Sequence, residues 1–295
     1  MADICLITNP TAKSGEAVNA VKKVCEHLEK RGADFAVWET EYPGHATELA
    51  KEAVREGYKL IVSVGGDGTL RETALGVAQT DAVLGVIACG TGNDFVRTMK
   101  IPTDLEKAAD VLLDGEDRII DAGMANGEMF FNAAGFGFDV DVLDYTEFYK
   151  PKCKNGSTAY LRGLARALLK LQLRKAKITF PDGTIEKNVL LVAAGNGRFY
   201  GGGIEVTPDA DPSDGYLDIC IVHDVNYFKV PKILPRFLKG KHLGLKEVTY
   251  RKEKMVSIEC EPESRIQVDG ERMPGTPVTF RIVEKALKIR VPKTE

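Results

Sequence analysis

The sequence predicts an α/β N-terminal domain with a largely parallel sheet over residues 1–120, followed by a mainly antiparallel β-sandwich C-terminal domain over 121–281. The last strand, 282–295, is a candidate to return to the first domain. Three observations carry this reading. Short apolar runs alternate with amphipathic helical stretches through the first third of the chain, the pattern of a parallel sheet covered by helices. Beyond residue 117, short strand signals follow one another with turn dipeptides between them. A chain of 295 residues, 44% hydrophobic and 28% charged, is long enough for one large or two ordinary domains with a sizeable core.

Taken in order, "ICLITNP" is an apolar run closing on turn residues. The stretch "SGEAVNAVKKVCEHLEKRG" spaces Ala17, Val21, Val24 and Leu28 along one helical face, with Ser14 as N-cap and Gly32 just past its end. Next come "DFAVWET" as strand, "HATELAKEAVREG" as helix, "KLIVSV" as strand, "TLRETALGVAQ" as helix and "AVLGVIAC" as strand. After "GTGNDFVRTMKIP", the helix "TDLEKAADVLLDG" has Thr103 and Glu106 at capping-box spacing. The second domain reads as strands in "RIIDAGMANGEMFFNAAG", "KITFPDGTIEKNVLLVAAG", "GYLDICIVHD", "EVTYRKEKMVSIECE", "RIQVDGE" and "VTFRIVEKALKIRVP". Asn126-Gly127 and Asp182-Gly183 mark hairpins, and helical stretches interrupt near 139–148, 158–175 and 226–239.

Composition excludes several classes. A formal charge of −3 gives no general attraction to nucleic acid. Six scattered cysteines without a CxxC favour reduced, buried thiols of a cytosolic protein over disulfides or zinc. The start "MADICLITNP" lacks a basic leader, and no run of about 18 apolar residues occurs, so neither a signal peptide nor a membrane span is expected.

The chemistry concentrates in "VGGDGT". Gly65, Gly66 and Gly68 stand where a strand gives way to a helix, so the backbone can approach a ligand that a Cβ would exclude. Alone, this is equally a tight strand–helix connection, and it matches neither GxxxxGK[ST] nor GxGxxG. Asp67 is the unusual member. A carboxylate facing phosphate repels it unless a cation lies between, which points to a metal-bridged nucleotide. "CGTGNDFVRTM" follows the next strand with the same grammar of small residues, acid and helix, and delivers Asp94 to the same crevice. Asp121 ends the strand signal in "RIIDAG". Each acid alone reads as a cap or turn residue; three together suit a hydrated Mg²⁺ and phosphoryl transfer.

"GGDGT" followed by "GTGNDFVR", with "NPTAKSG" near the start and "VDGE" near the end, resembles the soluble lipid kinases with a diacylglycerol-kinase catalytic domain. That group includes bacterial diacylglycerol kinases and is related to the sphingosine and ceramide kinases. The resemblance runs from Asn9 to Glu271 and implies an ATP site in a cleft between an α/β and a β-sandwich domain. By the same resemblance Asn9, Pro10, Thr11, Ala12 and Lys13, then Thr40, Gly66, Asp67, Gly68, Thr69, Leu70, Arg71 and Glu72, and Thr91 bind nucleotide. Thr40 and Thr91 are, on the residues alone, as readily turn or cap residues. Asp67, Asp94 and Asp121 match the acids that hold Mg²⁺ through water, and Glu271 matches the proposed general base. In isolation "DGE" is a hairpin tip with a solvated acid, and Asp269 reads as structural. The acid-rich "DADPSDGYLDI" is a plain Asx-turn or a hard-cation loop. The resemblance implies a structural Mg²⁺ there, on Asp211, Asp214 and the carbonyl of Tyr216.

Charge placement adds an independent expectation. Residues 150–177 hold nine Lys or Arg and no acid, with Arg162, Arg166, Lys170 and Arg174 at every fourth position as one helical ridge beside Leu161, Leu164, Leu168 and Leu171. Residues 229–254 hold nine basic residues against two acidic. These are solvated faces or a peripheral docking surface for anionic lipid; nucleic acid is disfavoured because aromatics are not interleaved. His45 either contacts phosphate or caps its helix, and "RFYGGGIEVTP" reads as a mobile loop beside the acceptor. The expected activity is ATP- and Mg²⁺-dependent transfer to a lipid hydroxyl, foremost diacylglycerol, at an anionic membrane surface. The rivals are kinases of another lipid, of NAD or of a sugar phosphate, and a non-catalytic lipid-binding protein. A homodimer is left open.

Overall fold

The structure, a computed structural model, describes residues 3–10, 16–153 and 155–293. Thr11, Ala12, Lys13 and the expected cap Ser14 lie outside the described residues. The chain divides into two compact units, residues 1–122 with 284–295, and residues 123–283.

The first unit alternates strand and helix: β1 (Ile4–Thr8), α1 (Glu16–Lys30), β2 (Phe35–Glu39), α2 (His45–Glu56), β3 (Leu60–Gly65), α3 (Asp67–Val77), β4 (Val83–Ala88), α4 (Asp94–Thr98) and α5 (Leu105–Asp114). β5 (Glu116–Ala125) then leads towards the second unit. Every residue of β1, β3 and β4 is buried, as strands covered on both faces require. The order is β2-β1-β3-β4, all parallel, and the end of the last strand, β17 (Val278–Val291), adds alongside β4 with Lys288 opposite Val83. Helix α1 buries Val24 and Leu28 in a core shared with Leu6, Val62, Ile87 and Leu112. Arg31 ties its end to Asp110 and Asp114 of α5.

The start of α5 differs from expectation. Asp104, not Thr103, is the N-cap, its side chain accepting from the backbone N–H of Lys107 at 3.0 Å. The offset is one residue because an aspartate at this position already satisfies a first-turn donor.

In the second unit, after β6 (Glu128–Phe130) and β7 (Ala133–Gly137), helices α6 (Phe138–Tyr149) and α7 (Gly156–Leu169) pack together, joined through a 3₁₀ turn at Lys150–Lys152. Then come β8 (Arg174–Phe180), β9 (Gly183–Gly195), the short hairpin β10 (Phe199–Tyr200) and β11 (Ile204–Glu205), and β12 (Leu217–His223). Helix α8 (Val230–Phe237) precedes β13 (Val248–Glu253), β14 (Met255–Glu261), β15 (Ile266–Val268) and β16 (Glu271–Met273). Pairing here is antiparallel throughout. The first half of β9 pairs β8 and its second half pairs β7 and β12, so one strand serves both layers of a β-sandwich. Phe130, Phe136, Ile178, Val256 and Phe280 fill the space between them, with Phe130 and Phe280 meeting edge to face at 6.4 Å. Asn126 and Gly127 both take positive φ, the conformation of a tight two-residue hairpin turn, and join β5 to β6.

The expected helix over 158–175 stops at Leu169. From Arg174 the sequence alternates buried Ala176, Ile178 and Phe180 with exposed Lys175, Lys177 and Thr179, a period of two that only a strand accommodates. Arg174 therefore leaves the basic ridge. It forms a two-armed ion pair with Asp141 of α6, at 2.6 and 3.2 Å, with both side chains largely buried. Helix α8 is also shorter than the 226–239 expected, beginning beside Pro231, which suits a first turn.

The relocated cap is testable by urea unfolding: Asp104→Ala should lower stability by about 1 kcal/mol, whereas Thr103→Ala should stay within about 0.5 kcal/mol of the parent.

Candidate active site

In the first unit β1 lies between β2 and β3, so the strand order reverses at β1/β3 and a crevice opens beyond their carboxyl ends. The described residues of this unit that were expected to bind nucleotide lie on loops that leave strand ends or on the start of α3. Asn9 and Pro10 follow β1. Thr40 follows β2, its N–H bonded to the carbonyl of Thr8 at 2.9 Å. Gly66 to Glu72 form the turn after β3 and the first turns of α3, and Thr91 lies exposed in the loop after β4.

The two glycine loops touch through backbone. A Cβ on Gly90 would stand 2.9 Å from the Cα of Gly66, and one on Gly92 would stand 2.7 Å from Oδ2 of Asp67 and 3.7 Å from Oδ2 of Asp94. The structure thus brings the Asp67 and Asp94 carboxylates to the same face of one glycine. Asp67 Oδ2 accepts the N–H of Asn93 at 3.1 Å, binding loop to loop. Helix α3 begins at Asp67 without a side-chain cap, and Gly68 is exposed with open space around it. Its first-turn N–H groups and helix dipole are suited to an anion. Glu72 also faces α2, its Oε2 accepting the N–H of Ala46 at 3.3 Å. Thr69, Leu70 and Arg71 are buried and position the helix.

Asp121 is placed differently. It is buried inside β5, four residues before that strand ends, and its Oδ1 accepts the N–H of Lys285 at 2.7 Å. Lys285 has positive φ, so this carboxylate pins a kink in β17. Among the described residues no three His, Cys, Asp or Glu side chains gather as direct ligands for a metal. His45 receives the N–H of Glu41 on Nδ1 and stacks on Tyr42 at 4.4 Å.

In the second unit Glu271 is exposed at the start of β16, opposite Val268. The turn beneath it, Asp269-Gly270, has positive φ at both residues. Asp269 accepts three backbone N–H groups, from Phe131 at 2.8 Å and from Asn132 and Ala133 at 3.0 Å, while Gly270 donates to Gln267. A carboxylate ringed by three donors is a structural clamp, and it holds Glu271 on a fixed hairpin.

The acid-rich loop is tied down by protein groups. Asp211 accepts the N–H of Ser213, Asp214 accepts that of Tyr216, and Lys252 pairs with the second oxygen of Asp214. Beside it Asp218 accepts from the Tyr250 hydroxyl at 2.8 Å; burial pushes its carboxyl up to about 6, with Tyr250 and Lys252 pulling the other way. The three glycines 201–203 all take positive φ and form the tip of the β10–β11 hairpin.

One cluster escaped the sequence reading. Both oxygens of Asp139, Nε2 of Gln267, the hydroxyl of Tyr200 and Oδ1 of Asn132 are buried and poorly satisfied, Asp139 having only the Val140 N–H and the Gln267 amide near it. Burial pushes the Asp139 carboxyl up to about 7, outweighing the backbone N–H of Val140 and the Gln267 amide. Burial also raises Tyr200, helped by the charge of Asp139. Buried polar atoms left without partners are characteristic of a site that receives a polar ligand or water. The missed signal was the repeated grammar: "GFGFD" is again strand, glycine, acid and helix.

The sign of the Asp139 shift sets a pH dependence. The folded chain holds a proton that an unfolded aspartate releases near pH 4, so stability should fall as pH rises from about 4 to about 7 and then level off. Asp139→Asn should remove that fall, raising stability by about 2–4 kcal/mol near pH 8 and leaving it unchanged near pH 4, as read by denaturant melts at both.

Comparison with known proteins agrees with this division. The Diacylglycerol kinase catalytic domain matches residues 3–125, and the YegS C-terminal NAD kinase beta sandwich-like domain matches residues 132–291. The diacylglycerol kinase of Mycobacterium tuberculosis is 33% identical over 298 residues, covering 98% of this chain and 95% of the relative. That of Bacillus subtilis is 31% identical over 292 residues, covering 98% and 96%. A solved structure of a candidate diacylglycerol kinase from Bacillus anthracis is 26% identical with a TM-score of 0.81, covering 98% of this chain and 97% of that one. Similarity that runs through both units from end to end makes the chain a member of the diacylglycerol kinase family, and so of a family of phosphotransferases.

Proposed function

We propose that this chain transfers the γ-phosphoryl group of ATP to the free hydroxyl of diacylglycerol, yielding phosphatidic acid. The observation that carries the reading is the pair of acids, Asp67 and Asp94, that come together beside Gly92 on the loops after β3 and β4. The residues fit the groups this chemistry needs. The open, uncapped start of α3 and the glycines of both loops leave room and backbone donors for phosphates. Mg²⁺ is commonly held by one or two carboxylates, substrate phosphates and several waters, and two acids rather than three direct ligands match that habit. Magnesium would supply charge neutralisation at the phosphoryl oxygens.

The chain's own groups then have distinct tasks. Asp67 orients the metal side of the site while its bond to Asn93 keeps the two loops together. The first-turn N–H groups of α3 bind phosphate oxygens, and Asn9 and Pro10, just past β1, border the same crevice. Glu271 takes the hydroxyl proton as the new oxygen–phosphorus bond forms and the bond to the ADP oxygen breaks. Its fixed hairpin, clamped by Asp269, is what a base needs to meet an incoming hydroxyl in one geometry. The buried, poorly satisfied polar groups of Asp139, Gln267 and Tyr200 give the polar end of an acceptor somewhere to bind. Relatives named diacylglycerol kinase support that acceptor over sphingoid bases, NAD or a sugar phosphate.

Labelled ATP offered with diacylglycerol, sphingosine, phosphatidylglycerol and NAD in parallel should place label in diacylglycerol. Label chiefly in NAD would overturn the lipid reading. Glu271→Gln should lower turnover by about 10²-fold or more while ATP binding, measured by calorimetry, is unchanged. Near-parental turnover in that variant would remove Glu271 as the base.

A further inference from the structure

Gln267, on β15, is 3% exposed, and the two ends of its amide face different neighbours. Oε1 accepts the N–H of Gly270 at 2.9 Å, inside the Asp269-Gly270 turn that carries Glu271. That bond fixes which way the amide points, because a backbone donor needs the oxygen and not the nitrogen. Nε2 is therefore turned the other way, where it is buried and poorly satisfied, with the Asp139 carboxyl near it. Strand register explains the meeting. Gln267 stands opposite Gly135 of β7, and a Cβ on Gly135 would lie 3.1 Å from Oδ2 of Asp139, so the absent side chain admits the acid of α6 to this strand pair. The hydroxyl of Tyr200 is also buried and poorly satisfied, and the charge of Asp139 reaches it. Closing the turn uses only the amide oxygen. An NH2 group buried among poor partners costs stability, so the nitrogen end answers to something other than the turn. A second link joins the same two elements: Arg272, next to Glu271, donates to Asp144 of α6 at 2.7 Å. Helix α6 thus holds the β15–β16 hairpin at an outer point and at an interior one.

We propose that Gln267 is a positioning residue for the transfer: with one arm on Asp139 and the other on the turn of Glu271, it sets the base in place when the glycerol-ester end of an uncharged acceptor settles among Asp139, Gln267 and Tyr200. An acceptor oxygen that takes a hydrogen bond from Nε2 pins the amide, and the pinned amide holds Gly270. The donors decide the ligand's chemistry. Nε2 and the Tyr200 hydroxyl donate to an ester carbonyl, while Asp139, kept largely protonated below about pH 7 by burial, bonds a hydroxyl or ester oxygen. An ammonium group placed there would face the amide hydrogens of Gln267, which makes a sphingoid amine the poorer fit. The titratable groups around Asp139 are Asp141 of α6, itself paired with Arg174 of β8, and Tyr200 of β10; Tyr160 of α7 and Cys220 of β12 lie close enough to Tyr200 to act on it. This coupling rests on Glu271 being the base and diacylglycerol the acceptor, and it can fail separately from both.

Steady-state kinetics of the full chain on dispersed dioctanoylglycerol test it. Gln267→Met, similar in volume but without either hydrogen bond, should lower kcat about tenfold or more. Introduced into Glu271→Gln, the same change should cost less than about twofold, since a residue acting through the base then has nothing left to position. Gln267→Glu keeps an oxygen for Gly270. Measured against the parent at each pH, its turnover should approach parental near about pH 6, where a protonated acid donates toward Asp139, and fall about tenfold by about pH 9. Should the methionine variant not fold, this profile decides. A further readout needs no turnover: in hydrogen-exchange mass spectrometry, dioctanoylglycerol should slow exchange over Ile266 to Arg272 in the parent and not in Gln267→Met. Additive losses in the double variant, a flat pH ratio for Gln267→Glu, or an exchange response that survives Gln267→Met overturns the proposal. Diacylglycerol phosphorylated by Gln267→Met at parental kcat removes the positioning role alone. Slowed exchange that depends on Gln267, with no lipid phosphorylated, removes the kinase reading alone.

Discussion

Backbone contact between the loops after β3 and β4 governs the first unit's crevice. Neighbouring strands in a sheet end about 4.8 Å apart, so the loops that leave them must interpenetrate or splay. Gly90 and Gly66 let them meet, since a Cβ on Gly90 would stand 2.9 Å from the opposing Cα. The Asp67 side chain then fastens one loop to the other by accepting the N–H of Asn93. Each then runs into a helix whose first residue is an acid, Asp67 for α3 and Asp94 for α4. Helix N-termini favour negative charge there, which offsets part of the repulsion between two nearby carboxylates.

Much of the fold was legible because its patterns are strong. Mostly apolar strands of five or six residues, each followed by an amphipathic stretch, leave few architectures other than a covered parallel sheet, and Asn126-Gly127 allows little but a tight hairpin. Boundaries were less legible where two periods overlap. Arg174 fits the four-residue spacing of Arg162, Arg166 and Lys170, but it also opens the two-residue alternation that buries Ala176, Ile178 and Phe180. Burial of three side chains in a sandwich core outweighs the intrinsic helical preference of a few residues, so the strand prevails. The Thr103 cap was displaced by a more local competition between adjacent oxygen-bearing side chains.

The candidate site was legible where function depends on backbone shape and not where it depends on packing. Glycines and acids at strand ends can be read directly, and Asp67 and Asp94 meet at Gly92. The role of Asp269 could not be read, because its three donors come from residues 131–133, more than 130 positions away in sequence. Asp121 shows the converse, an acid at a suggestive position whose near partner is the backbone of Lys285. Asp139 is the instructive omission. Its glycine–acid–helix grammar was visible, but its burial with few hydrogen-bond partners is a property of the folded interior.

The path of β17 has a consequence for how the chain is made. Residues 278–283 belong to the second unit and residues 284–291 to the first, where they lie beside β4. The first unit's sheet is therefore assembled from segments separated by the entire second unit. During synthesis from the amino end, β1 to β4 emerge early and wait, with one flank of β4 unpaired, until some 160 residues of another domain have been made. An apolar strand edge left open that long is a site for mispairing. The nascent chain thus has a window of vulnerability that closes only when its last strand arrives, and cellular chaperones have more reason to attend to its first-made domain than to its second.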